Sequence, residues 1–489
     1  MRSPSSRRAL AVLAAGVAVG ASVGRARASG RARRGAQLAA MGTRTGGAYA
    51  LHRARRVFAD AERREALDTS FQLRTAEAVA DSLGHMKGAV MKLGQMASYL
   101  DQGMPEPVRE ALGQLQQDAP PMSPELTAET VEQELGAPPE TLFAEWDAIP
   151  IAAASIGQVH RAMTHEGEAV AVKVQYPGVD RAIASDLDNA NFLATAMSLM
   201  FPGLETAPLV AELRHRLLEE LDYRLEAENQ RLFGEYYADH PFIHIPPVVD
   251  RYSTGRVLTT ELAGGVRFAD VLTWSRHEQD LAAETIFRFV FRSLYRLRAF
   301  NGDPHPGNYL FQPGGRVTFL DFGLVKRFTD DEVTLFSALV QTMVLQRDPT
   351  AFRRIIESVG LLAPGQPFSD QRVEDYFGHF YEFLFEDAPR TMTQQYATES
   401  VRRVFDTSGP HGEIMRVANV PPAFVVIQRI NLGLYAILGN LGATANWRRI
   451  AEELWPFVDG QPSTPLGWEE AGWLSSRPDL SRTRPTLRP

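Results

Sequence analysis

A chain of 489 residues exceeds one ordinary core and, at roughly 150 residues per domain, predicts about three folding units or one large bilobal one. With 44% hydrophobic and 22% charged residues it is globular in composition, and the absence of cysteine excludes disulfides, thiolate metal sites and a cysteine nucleophile. The net charge of -8 hides an asymmetry: residues 1–56 hold twelve Arg and no Asp, Glu or Lys, leaving about -20 on the rest, which argues against a nucleic-acid binder and for an arm that meets an anionic surface such as a phospholipid bilayer.

In that arm an uncharged run of 16 residues, Ala9 to Gly24, follows Arg7 and Arg8. As a helix it reaches about 24 Å, short of the hydrocarbon core. Three readings fit it: a membrane anchor or surface-lying helix, a cleaved export signal, and a frayed tail. The first is favoured. More Arg after the run than before it keeps the body inside.

Residues 57–142 read as a helical extension. Leu83, Met86, Val90, Leu93 and Ala97 recur at helical steps, and a second helix is predicted from Pro124 to Leu135. The period then falls to two, with Val170, Val172 and Val174 on one face of a strand and Ala169, Ala171 and Lys173 on the other. A helical stretch from Leu209 to Tyr237, a strand from Arg256 to Leu262 and a helix from Glu278 to Phe300 follow. This order predicts an α+β fold, with a small mixed lobe over 143–262 joined to a larger helical lobe over 263–458. Residues 459–489, rich in Pro, Ser and Arg, are expected to form a poorly ordered tail.

The sharpest chemical signal is Asp303-Pro-His-Pro-Gly-Asn308, then a strand from Arg316 to Leu320, then Asp321-Phe-Gly323. Phosphoryl transfer uses an Asp that orients a nucleophile, an Asn five residues later that holds Mg²⁺, and the Asp of an Asp-Phe-Gly turn that bridges metal to phosphate. Lys173 sits inside an apolar strand, where an ammonium needs an anion. Nucleotide phosphate together with a helix glutamate supplies one. Ahead of it, Ala152 to Val159 holds a single glycine, Gly157, and reads either as a small-residue turn or as a loop offering backbone N–H groups to phosphate. Glu220 and Glu226 lie about 240° apart on one helix, able to serve two basic groups such as Lys173 and Lys92, or simply to form a solvated face. His305 either touches phosphate or packs its loop.

Lys92-x-Gly94-Gln95, the Ala-rich loop, Lys173, Glu220-x-Asp222, Asp303 to Asn308 and Asp321-Phe-Gly323 together resemble the AarF/UbiB atypical kinase family over about residues 75–330. The resemblance implies a bilobal protein-kinase-like fold whose N-terminal extension covers a nucleotide pocket. It implies catalytic roles for Asp303, Lys173 and Glu226, with Lys173 paired to Glu226 and Lys92 to Glu220. ATP or ADP would meet Ala153, Ala154, Ser155, Ile156, Gly157, Val159, Lys92, Gln95 and Glu220, with a hinge near Glu261 and Leu262. Mg²⁺ would sit on Asn308 and Asp321. The implied activity is that of an ATPase or of a small-molecule or lipid kinase in ubiquinone or other isoprenoid-lipid metabolism at the cytoplasmic membrane face.

Two features depart from the family pattern. Asn301 stands where a His is usual, and no C-terminal hydrophobic anchor is expected, which moves any membrane role to the N-terminal arm. Asn301 is expected to bond the neighbouring backbone and repack its loop. The rival reading is a nucleotide-binding scaffold without chemistry. Peptide phosphorylation is not expected, because no Ala-Pro-Glu follows the Asp-Phe-Gly turn and the chain runs straight into a helical pattern.

Overall fold

The computed structural model describes residues 122–154, 156–179, 221–301, 304–405, 409–419 and 422–481. The basic arm and the expectations on Lys92, Gln95, Ser155, Glu220 and Asp303 lie outside the described residues. Helix α1 (Pro124–Leu135) begins where the Ser123 side chain accepts a bond from Leu126 N and Pro occupies the first turn; it ends at Gly136, whose φ of 82° suits a left-handed cap. Its Val131 packs against Phe143 and against Val170, Val172 and Val174.

Those valines belong to the N-lobe sheet, made of β1 (Glu145–Trp146), β2 (Ala152–Ala154), β3 (Gly157–Met163), β4 (Ala169–Gln175) and β6 (Val257–Glu261), with the short β5 (Ile243–His244) elsewhere. The order is β1-β3-β4-β6, and β2 also pairs with β3. Alternation along β4 buries the three valines under α1 and turns Ala169, Ala171 and Lys173 to the opposite face, as the period of two predicts. Register places Val159 and Leu258 on either side of Lys173.

Helix α2 (Tyr223–Tyr236) falls within the stretch expected from Leu209 to Tyr237, of which residues 209–220 lie outside the described residues. Asp222 is extended and caps the helix, its carboxylate accepting from Arg224 N at 3.0 Å. Glu220 therefore precedes the cap, and the expectation that it shares one regular helix with Glu226 is corrected: an Asp that can bond the backbone two residues on starts a helix here rather than continuing one.

The helical lobe is built around α3 (Arg276–Arg292), which is buried almost all round. It closes in a π turn over Ser293–Leu297, and Arg298, with φ 57°, redirects the chain into β7 (Ala299–Asn301). Here the expected helix to Phe300 is cut short. A hairpin of β8 (Tyr309–Gln312) and β9 (Arg316–Phe319) turns through Gly314 and Gly315, both at positive φ, and β10 (Val325–Arg327) pairs back onto β7. Thr329 then caps α4 (Asp330–Val340) in a reciprocal bond with Glu332. Behind these elements lies α5 (Pro422–Leu441).

The segment expected to be a poorly ordered tail instead forms α6 (Pro465–Ser476). Leu466, Glu470 and Trp473 are buried on one face. Arg288, fully buried on α3, pairs with Glu284, Glu453 and Glu470, while Arg292 pairs with Glu470 as well. Burial opposes ionisation of Glu470, but Arg292, the His240 bond and Arg288 hold its pKa well below the usual carboxylate range. A pKa depressed in the folded state stabilises fully above the ordinary glutamate pKa, and that contribution fades as pH falls toward the folded value. Replacing Glu470 by Ala takes from the buried Arg292 its carboxylate partner and from Arg288 one of three, so denaturant unfolding of Glu470→Ala at neutral pH should show a loss of about 3 kcal/mol. The difference from wild type should narrow in acid.

Candidate functional site

On the face of β4 turned away from α1, Lys173 Nζ lies 2.8 Å from both carboxylate oxygens of Glu226 on α2. The lysine side chain is 19% exposed and the glutamate 6%, so this pair is largely withdrawn from water. Tyr223, one turn before Glu226, sets its ring 4.9 Å from the same ammonium. Burial alone would discharge Lys173, but the Glu226 carboxylate and, after it, that of Asp321 keep its pKa above the ordinary lysine value. Three groups from three distant stretches of sequence thus converge electrostatically on one point.

Asp321 follows β9, and Asn308 precedes β8. Because the hairpin pairs Tyr309 with Phe319, the Leu320 N–H donates to the Asn308 carbonyl at 2.9 Å, which holds the two candidate metal ligands side by side. Asp321 Oδ1 accepts from Gly323 N at 2.9 Å, and the buried Asn301 amide donates to the Asp321 carbonyl. The bond expected of Asn301 is therefore made. Between them, Asp321 and Asn308 offer a carboxylate and a carboxamide, hard oxygen donors suited to Mg²⁺. Among the described residues no three His, Asp or Glu side chains cluster as a metal cage.

The remaining expected residues fall around this point. Ala153 and Ala154 lie on β2, paired with Gln158 and Gly157, and Val159 is half-buried on β3 opposite Lys173. Ile156 is 2% exposed and packs with Tyr223, Ala227 and Leu258, so its side chain belongs to the core. Gly157 opens β3; a Cβ there would come within 2.3 Å of the Val174 carbonyl oxygen, so close approach of strands demands the glycine. At the expected hinge, Glu261 N–H donates to Pro247 and Leu262 N–H to Ala169, both at 3.0 Å, while the Glu261 carboxylate meets His244. Both amides are therefore taken by the sheet. His305 is exposed and its Nδ1 accepts from Gly307 N, so it fastens its own loop.

Three neighbours carried no readable signal. Asn229 on α2 donates to the Phe322 carbonyl, and Tyr223 attends Lys173. Gly433 on α5 leaves room for Pro304, whose Cγ would lie 2.2 Å from an added Cβ. A helical glycine is noticeable in a sequence, but the loop it faces, far away along the chain, is not.

The description "ABC1 atypical kinase-like domain" matches residues 114–355. The chain is similar to the mitochondrial atypical kinase COQ8 of Saccharomyces cerevisiae, at 27% identity over 386 residues, 78% of this chain and 76% of the relative. To the mitochondrial atypical kinase COQ8B of Rattus norvegicus it is 36% identical over 256 residues, 52% of this chain and 48% of the relative, so it spans about half that relative's length. Among solved structures it is similar to Rv3197 of Mycobacterium tuberculosis in complex with erythromycin, with a TM-score of 0.59, 29% identity, and coverage of 80% of this chain and 98% of that one.

Gly433→Ala should force α5 and the loop at Pro304 apart, costing about 1–3 kcal/mol as overpacking does. Chemical denaturation measures the loss; an unchanged midpoint would show that the loop yields freely.

Proposed function

As this chain belongs to the AarF/UbiB atypical kinase family, we propose that it binds ATP or ADP with Mg²⁺ and acts as an ATPase or as a kinase of a small molecule or lipid. The pathway we propose is that of ubiquinone or another isoprenoid lipid. The observation that carries the reading is the Lys173–Glu226 pair at 2.8 Å with the Asp321 charge bearing on the same ammonium. An ammonium fixed between two carboxylates keeps its charge and its position, and can meet the phosphates of a nucleotide without reorganising.

In this reading Asn308 and Asp321 hold Mg²⁺, which neutralises charge on the transferring phosphoryl group when bound. Asp303 orients the acceptor hydroxyl and takes its proton. Backbone N–H groups between Ala153 and Gly157 cover the phosphates, and adenine lies on Val159 and Ala171. With the Glu261 and Leu262 amides engaged, the hinge donor is the N–H of Ala263, which no described backbone group accepts. Lys92, Gln95 and Glu220 close the pocket from the N-terminal extension.

The acceptor is small, because a peptide has little to dock on. From Gly323 the chain passes through β10, which is paired to β7, and reaches the Thr329 cap of α4 within six residues. We place the protein at the cytoplasmic face of a membrane, held by the arm of residues 1–56. No described helix is long and apolar enough to cross a membrane. The scaffold reading drew on the missing His at position 301; the Asn301 bond to the Asp321 carbonyl removes that support.

Thermal shift of the full chain should show stabilisation by ATP or ADP that grows with Mg²⁺, and Asp321→Asn should abolish the Mg²⁺-dependent part. Asp303→Asn should keep nucleotide binding while turnover falls by about 10²–10⁴-fold. Stoichiometric, Asp303-dependent phosphate transfer to a protein would overturn the small-acceptor assignment.

A further inference from the structure

Two side-chain amides from opposite lobes grip consecutive carbonyls of the metal-binding turn. Asn229 Nδ2 on α2 donates to Phe322 O at 3.2 Å, and Asn301 Nδ2 at the end of β7 donates to Asp321 O. Since each acceptor is a backbone carbonyl, each amide must present its nitrogen there. Asn229 follows Glu226 by three residues and so lies on the same side of α2 as the partner of Lys173. One turn further along, Phe233 packs its ring 5.0 Å from that of Phe322. On the other flank, Asn301 is 4% exposed and pairs in register with Val325, two residues beyond Gly323.

We propose that Asn229 and Asn301 are positioning residues that clamp the Asp321–Gly323 turn between α2 and β7, so that the Lys173–Glu226 pair and the Asp321 carboxylate are held in one register. The residue type fits the task. A carboxamide donates without bringing a positive charge beside a carboxylate that must receive a cation, whereas Lys or Arg would compete with the metal. The clamp also ties two events together: a shift of α2 that draws Glu226 from Lys173 pulls the Phe322 carbonyl with it, and Asp321 leaves its place beside Asn308. Phosphate grip and metal grip then form or fail as a unit.

The inference rests on the metal–nucleotide reading above. Its test uses the full chain with Asn229→Leu and Asn301→Leu, near-isosteric changes that delete the donor, their combination, and Asn301→His, which returns a ring N–H donor. Asn229→Asp and Asn301→Asp serve where a Leu variant does not fold. The readouts are the Mg²⁺ midpoint at saturating ATP, ATP affinity without metal, the melting temperature without ligand, and amide hydrogen exchange across residues 319–325.

Each donor deletion should raise the Mg²⁺ midpoint about fivefold, the worth of one hydrogen bond, with metal-free ATP affinity within about twofold of wild type. Exchange at the turn should speed up in the unliganded protein. The double variant should lose less than the product of the singles, since releasing either jaw frees the turn, and Asn301→His should recover the midpoint. An unchanged Mg²⁺ midpoint and exchange rate in both deletions overturns the clamp. So does a parallel fall of metal-free affinity and melting temperature with no separate metal effect, which marks a merely structural role. A wild type with no Mg²⁺-dependent stabilisation instead overturns the metal site itself, a result visible before any variant is compared.

Discussion

An ammonium withdrawn from water among carboxylates is the constraint to which the other features of this molecule answer. Lys173 sits in a strand whose opposite face is solid valine core, so it cannot turn outward without exposing that core. Left alone it would lose its charge, because burial of a single ion costs far more than folding can spare. Glu226 supplies the counter-charge, and α2 must therefore lie against β4 at one height and rotation. The Asp222 cap and the Tyr223 ring fix that height from one end of the helix, and Asn229 and Phe233 tie it to the Asp-Phe-Gly turn from the other.

The larger lobe solves a similar problem by burying a network. Arg288 and Arg292 occupy the interior of α3 and are answered by Glu284, Glu453 and Glu470. Ion pairs of this kind are weak as net sources of stability, since desolvation consumes much of the attraction, but they tolerate few arrangements. Their consequence here is register: α6 can seat on α3 in one way, which steadies the helix that leads through Arg298 into β7 and the loop beyond it.

Legibility in the sequence followed the range of the interactions. The alternation in β4 was readable because burial on one face imposes a period of two within seven residues, and the Asp321–Gly323 turn because it is a local object. Helix α6 was missed because Pro, Ser and Arg set the tone of its segment, although Leu466, Glu470 and Trp473 stand at helical spacing. Its stability depends on Arg288, almost two hundred residues earlier, which composition cannot reveal. Asn229 was unreadable for the same reason: a polar residue on a helix ordinarily faces water, and only the fold brings a carbonyl from the Asp-Phe-Gly turn to within 3.2 Å of it.

The departure at Asn301 illustrates how a site can change a residue and keep its physics. The turn at Asp321 needs a short, uncharged donor delivered from β7, and the β7–β10 register brings position 301 to that spot whatever side chain it carries. A carboxamide meets the requirement, and the peptide carbonyl of Asp321 is satisfied in a largely buried setting where an unmet acceptor would be costly. The same register then spends the chain after Gly323 on pairing with β7 and capping α4, where a protein kinase would spread a docking segment. One strand pairing thus steadies the Asp321–Gly323 turn and, in the proposed reading, also narrows the range of acceptors that can reach it.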